Sequence, residues 1–257
     1  MKLHLSGCVG LHHMMFGICA YIEEHYDLDK LKQIKTVSGS NYVGAALLSK
    51  YSTRSIWELW SKRLSALIKK YPITFLFKLY EMIQCHSNDI LKKYSKKQTR
   101  KHFILITYLF KLQKEWINNY SSFNDYRNCI IAGSFIPFIS GITKIYYYFR
   151  NIKCIDGGLC NYNIINNSET NTTSTNTLEI NRRDFLSIIT PTEYYKWIVY
   201  GLILAHDNHK IQFDTGYLYA QLFLKNKLDK LLSPLTSKSK KYLPITGKFD
   251  WNCKEFN

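Results

Sequence analysis

Three short segments of this chain hold the residue types that acyl transfer requires. Ser40 lies in Thr36-Val37-Ser38-Gly39-Ser40-Asn41-Tyr42-Val43-Gly44, and Asp156 opens Asp156-Gly157-Gly158-Leu159-Cys160-Asn161. A serine hydroxyl is a weak nucleophile until a base removes its proton, and the oxyanion formed on attack needs hydrogen-bond donors. A sharp strand-to-helix turn exposes such a hydroxyl and lends it a helix N-terminus. Ser40 is the first candidate for that role, Ser38 is the second, and Asp156 is the candidate base. The third segment, Ser6-Gly7-Cys8-Val9-Gly10-Leu11-His12, leads into a helical pattern. The backbone N–H groups of Gly7, Cys8, Val9 and Gly10 are candidate oxyanion donors, because such a corner is an anion site by construction. Taken singly, each segment reads as an ordinary polar turn. Their common position at strand ends is what raises them together.

The elements that must hold these residues follow from hydrophobic periodicity. Leu3 to Ser6 reads as a first strand, His12 to His25 as a helix, Gln33 to Val37 as a strand and Val43 to Leu48 as a helix. Thr53 to Lys70 carries apolar residues at 56, 57, 60, 64, 67 and 68, an amphipathic helix. Ile73 to Lys93 also reads as helical. His102 to Phe110, Arg127 to Ala132, Ile152 to Ile155 and Asp184 to Ile189 suit strands. Residues 161–182 are rich in Asn and Thr and read as an exposed loop. Tyr194 to Asp207 and Thr215 to Leu232 close the chain as helices. Strands alternating with helices imply one α/β domain over residues 1–257, with a mostly parallel sheet and helices on both faces. Residues 201–257 form its Lys-rich, helical end.

Other residues are set aside for chemical reasons. His206 and His209 follow Ser40 and Asp156 in the order of a Ser-Asp-His triad, but they read as surface histidines at a helix end. The pair is too sparse for a zinc site, and no metal site is expected. His12 and His13 sit at a helix start and read as neutral. Tyr146-Tyr147-Tyr148-Phe149 reads as core, with an acyl-chain channel as the other reading.

Four segments, in order, resemble the patatin-like phospholipases, nearest to their adiponutrin and adipose-triglyceride-lipase branch. "LHLSGCVGLHHMMFGICAYIEEH" resembles the first strand, oxyanion loop and first helix, and "TVSGSNYVGAALL" the nucleophile elbow. "CIIAGSFIPFISG" resembles the segment before the aspartate strand, and "KCIDGGLCN" the Asp-Gly-Gly motif. The resemblance covers about residues 1–200. It implies a three-layer sandwich and a Ser-Asp dyad with no catalytic histidine. Ser40 would be the nucleophile, Asp156 the base and Gly7, Cys8, Val9 and Gly10 the oxyanion loop. Gly39, Gly157 and Gly158 would support the motifs. With Ser40 central, Ser38 and Tyr42 stand at family glycine positions, as do Val9 and His12 in the oxyanion loop. The implied activity is hydrolysis of a lipid ester through an acyl-enzyme, with no cofactor and no calcium.

Composition limits the partners. The chain carries 35 Lys and Arg against 19 Asp and Glu, a net charge of +16. Such a surplus favours anionic surfaces. Two basic runs stand out, Lys92 to Lys101 and Lys225 to Lys248. The expected partners are a lipid substrate and an anionic membrane or lipid-droplet surface, with a cytoplasmic, peripheral location. A non-catalytic lipid-binding protein is the first alternative. A nucleic-acid binder is the second, resting on charge alone because no recognition motif is present. Seven cysteines, none spaced as C-x-x-C, suggest reduced thiols. No secretory leader is expected, and no apolar run reaches the ~20 residues of a spanning helix.

Overall fold

The computed structural model describes residues 1–72, 74–91, 96–140, 144–159, 176–200 and 206–235. In chain order the strands are β1 (Lys2–Leu5), β2 (Gln33–Thr36), β3 (His102–Tyr108), β4 (Gln113–Ile117), β5 (Tyr147–Phe149), β6 (Ile152–Asp156) and β7 (Thr177–Ile180). The helices are α1 (His12–His25), α2 (Ser40–Leu47), α3 (Thr53–Lys70), α4 (Phe75–Leu91), α5 (Lys96–Thr99) and α6 (Phe123–Gly133). They continue with α7 (Pro191–Tyr200), α8 (His206–Tyr219) and α9 (Lys225–Leu231). Tyr194 to Asp207 therefore falls partly on α7, and Thr215 to Leu232 falls on the end of α8 and on α9, joined by a π-helical turn at Ala220–Leu224.

The seven strands among the described residues join one mixed sheet. β3, β2, β1 and β7 run parallel in that order, and β4 and β6 lie antiparallel to β3. The register explains why the candidate site lies where it does. Ile104 of β3 pairs with Thr36 on one edge and with Ile117 on the other. Ile106 pairs with Asp156 on one edge and with Glu115 on the other. Because β4 runs unbroken along one edge, β2 and β6 must share the opposite edge. They approach from opposite directions, and their C-terminal ends meet two residues apart along β3.

Strand alternation identifies the packed face. Leu3, Leu5, Ile34 and Thr36 are buried, whereas Lys2, His4, Gln33 and Lys35 are half-buried on the other face. The β1–α1–β2 and β2–β3 crossovers step the same way across the sheet, so right-handed connections place α1 and α2 on the same face. α1 also packs against α3 and α8. Deep burial of Phe16, Ile18, Trp57, Leu64 and Phe213 makes this layer the main core.

Several elements differ from expectation. Arg127 to Ala132 is not a strand but part of α6, which starts where the Ser122 side chain accepts a hydrogen bond from the Asp125 N–H at 3.1 Å. Its apolar run is continuous because the second half of the helix is buried all round, and such a run carries no period to separate helix from strand. Asp184 to Ile189 is likewise not a strand. Arg182–Ser187 is a 3-10 helix opened by a reciprocal Asn181 and Asp184 capping box. The expected loop at 161–182 contains β7, whose Leu178 and Ile180 are buried beside β1; residues 161–175 lie outside the described residues. Cys85 on α4 is disulfide-bonded, which corrects the expectation of reduced thiols, while Cys8, Cys19, Cys129 and Cys154 are free and buried. Among the described residues no helix is long and apolar enough to cross a membrane.

Candidate active site

The turn after β2 is strained at one residue, Ser38, whose φ of 60° lies in the left-handed region. A non-glycine residue there costs of order 1–3 kcal/mol and persists only where its surroundings hold it. A directed chain of buried hydrogen bonds does so. Tyr126 Oη lies 2.7 Å from His102 Nδ1, and His102 Nε2 lies 2.7 Å from Thr36 Oγ1. Thr36 Oγ1 donates to Asn41 Oδ1 at 2.6 Å, Asn41 Nδ2 donates to Ser134 Oγ at 3.0 Å, and Ser134 Oγ donates to the Ser38 carbonyl at 2.7 Å. The Thr36 proton goes to Asn41, so His102 must donate from Nε2 and accept from Tyr126 at Nδ1. Burial keeps this imidazole neutral by lowering its pKa to about 3.

Ser38 lines a cleft beside this turn. His12, Phe16, Tyr42, Trp60, Ile136 and Ile139 contribute to its walls. Its lining is mainly apolar, and Ser38 and Gly39 bring the elbow to its surface.

Asp156 closes β6 next to this turn. Its N–H donates to the Phe135 carbonyl at 2.9 Å, and its Oδ1 accepts the Gly158 N–H at 2.6 Å. Gly157 is required because a Cβ there would collide with the Leu105 carbonyl. Gly158 places its N–H on the carboxylate, and a Cβ would stand 3.1 Å from Oδ1. Burial raises the Asp156 pKa from 3.8 to about 6. Hydrogen bonding from the Ser38 side chain opposes that rise, followed by the Gly158 N–H and the charge of Lys114. Oδ2 nevertheless has no partner in ordinary hydrogen-bond geometry. The Ser38 and Asp156 side chains are neighbours: a Cβ at Gly158 would stand 3.1 Å from Asp156 Oδ1 and 3.8 Å from Ser38 Cβ.

Ser40 does not make the expected pair with Asp156. It is fully buried as the first residue of α2, and its Oγ donates to the Ser6 carbonyl at 2.5 Å, with Cys8 Sγ at 3.3 Å. Its hydroxyl ties α2 to the end of β1. The serine acting on Asp156 is Ser38, two residues after the strand ends at Thr36. In the sequence, the frame centred on Ser38, Thr36-Val37-Ser38-Gly39-Ser40, is as plausible an elbow as the one centred on Ser40.

The Gly7–Gly10 loop comes to the same place. Ser6 is fixed by Ile180 and Arg182, with its N–H on the Ile180 carbonyl at 3.0 Å and its Oγ accepting the Arg182 N–H at 2.9 Å. Val9–Leu11 forms a 3-10 turn running into α1. The first N–H groups of such a turn lack intrahelical acceptors. Cys8 is close enough to Asp156 for its charge to act on the thiol, whose pKa burial pushes up to about 12. That thiol stays neutral and is no nucleophile.

Sequence reasoning missed the part played by His12. It lines the cleft, and its Nε2 accepts the Trp60 indole N–H at 2.9 Å. An indole only donates, so this nitrogen is unprotonated and the neutral ring carries its proton on Nδ1. His13 accepts from Trp57 at 2.9 Å and stacks on His209, with ring centroids 4.0 Å apart. His209 is fully buried and lies 3.0 Å from Ser61 Oγ, so it is a core residue and not a surface one. The His206 side chain lies outside the described residues. Among the described residues no group of His, Cys, Asp and Glu is arranged to hold a metal ion.

No family model matches this chain. No curated protein and no solved structure matches it either. The site's chemistry must therefore be argued from its own geometry.

Proposed function

We propose that the protein is a serine acyl hydrolase of patatin-like type, acting on a lipid ester through a Ser38–Asp156 dyad. One observation carries this reading: a strained serine at the head of a helix lines an apolar cleft and lies beside a buried carboxyl group whose pKa is raised to about 6. In the proposed reaction Asp156 accepts the Ser38 proton as Oγ attacks the ester carbonyl. The tetrahedral oxyanion takes hydrogen bonds from N–H groups at Cys8, Val9 and Gly10, with Gly39 at the head of α2. Collapse expels the alcohol, which takes its proton from Asp156. Water, deprotonated by the same carboxylate, then releases the acid and restores Ser38. The apolar wall from Phe16, Tyr42, Leu79, Ile83, Ile136 and Ile139 accommodates an acyl chain.

The test is covalent labelling with a fluorophosphonate followed by peptide mapping. The expected adduct is on Ser38, is lost in Ser38→Ala and Asp156→Asn, and is kept in Ser40→Ala. An unlabelled, folded protein would reject catalysis and leave a lipid-binding protein without turnover.

A further inference from the structure

The rim of the Ser38 cleft carries large apolar side chains facing solvent. Phe138 is 59% exposed and Ile139 37%. Ile139 also lines the cleft, as do Ile136 on the same loop and Leu79 on α4. Lys144 places its Nζ over the Tyr80 ring at 4.2 Å, joining the loop before β5 to the first turns of α4.

The tip of this rim is built to project. Phe138 has a φ of 64°, a left-handed conformation that a bulky residue rarely adopts. Its loop is tied on both sides. The Ile136 N–H donates to Ser140 Oγ at 3.1 Å, the Ser140 N–H to the Ile136 carbonyl at 2.9 Å, and the Ile139 N–H to the Ile136 carbonyl at 3.2 Å. Nothing apolar is gained by this strain within the fold, because the ring points into solvent.

Charge identifies what would cover the rim. Lys144 stands beside the rim, on Tyr80 of α4, within a molecule of net charge +16. An exposed apolar tip beside a cation fits the surface of an anionic bilayer: the ring enters the headgroup boundary while the ammonium group meets phosphates.

We propose that Phe138 and Ile139, with Lys144, form a lip that seats the cleft mouth on an anionic phospholipid surface. The inference rests on the lipid-ester reading for its purpose but not for its test. Binding is measured by flotation with phosphatidylcholine vesicles, with and without about 30% phosphatidylserine. It is measured in the Ser38→Ala background, so failure of the catalytic reading leaves it unaffected. Phe138→Gly is the informative variant, since glycine suits the left-handed backbone and the fold keeps or gains stability. Phe138→Gly and Lys144→Glu are each expected to weaken binding to the anionic vesicles by about tenfold. In the otherwise unaltered enzyme, Phe138→Gly should leave hydrolysis of a short soluble ester unchanged. Binding that survives both changes but is lost in Lys92→Glu/Lys93→Glu would overturn the assignment. So would equal binding to vesicles with and without phosphatidylserine.

Discussion

Two polar clusters meet at the turn after β2, and they differ in one respect. The Tyr126–His102–Thr36–Asn41–Ser134 chain satisfies its groups in sequence and ends on the Ser38 carbonyl. Across the same turn, Asp156 is as deeply buried but leaves Oδ2 outside ordinary hydrogen-bond geometry. A satisfied buried network rigidifies its surroundings, whereas an under-satisfied one stores the capacity to take a proton. The first cluster holds Ser38 in a costly conformation, and the second is what that conformation is aimed at.

The comparison can be broken at each end. The largest effect is expected from Ser38→Ala and Asp156→Asn, each lowering ester hydrolysis by at least about a thousandfold with the fold intact by circular dichroism. Next comes pH. A base must be ionised, so the rate should fall about tenfold per pH unit below about 6. Stability should run the opposite way. A carboxyl whose folded pKa is raised holds its proton more tightly in the native state, so this contribution is full below 3.8 and lost as pH rises through about 6. Asp156→Asn should therefore stabilise the protein at pH 8, by roughly 3 kcal/mol at most, read from urea melts.

The satisfied cluster should behave in the contrary manner. Asn41→Ala strands the Thr36 and Ser134 hydroxyls and should destabilise the fold by about 2–3 kcal/mol, with activity falling because Ser38 loses its clamp. The smallest effect is expected for Ser40→Ala. It removes one buried hydrogen bond to Ser6, costs about 1 kcal/mol in a thermal melt and keeps the rate within about tenfold. A Ser40→Ala variant as dead as Ser38→Ala would reverse the roles assigned to the two serines.

Much of the frame was legible before any coordinates. α1 and α3 fall where the apolar spacing places them, and the strands before Ser38 and Asp156 end within a residue of expectation. These elements have one buried face, so burial writes a period into the sequence. α6 has almost no exposed face in its second half, and its Cys129-Ile130-Ile131-Ala132 run carries no such period. β7 is short and follows an Asn- and Thr-rich stretch. Only its pairing with β1 makes it a strand, and pairing between distant segments leaves no local mark.

The residue types of the site were also readable: a serine turn, an Asp-Gly-Gly motif and a glycine-containing loop, each after a strand. What the sequence by itself could not decide was which of two serines, two positions apart, faces the carboxylate. Both sit among small residues, and both belong to plausible elbow frames. The choice depends on where α2 begins and on what lies across from each hydroxyl. Ser40 meets the end of β1, a segment 34 residues away in the chain, and its hydroxyl is consumed there. Ser38 meets Asp156 because β2 and β6 end head to head along one edge of β3. Composition and periodicity set the elements. Long-range register alone set the pair, because it is fixed by contacts between segments that carry no information about each other locally.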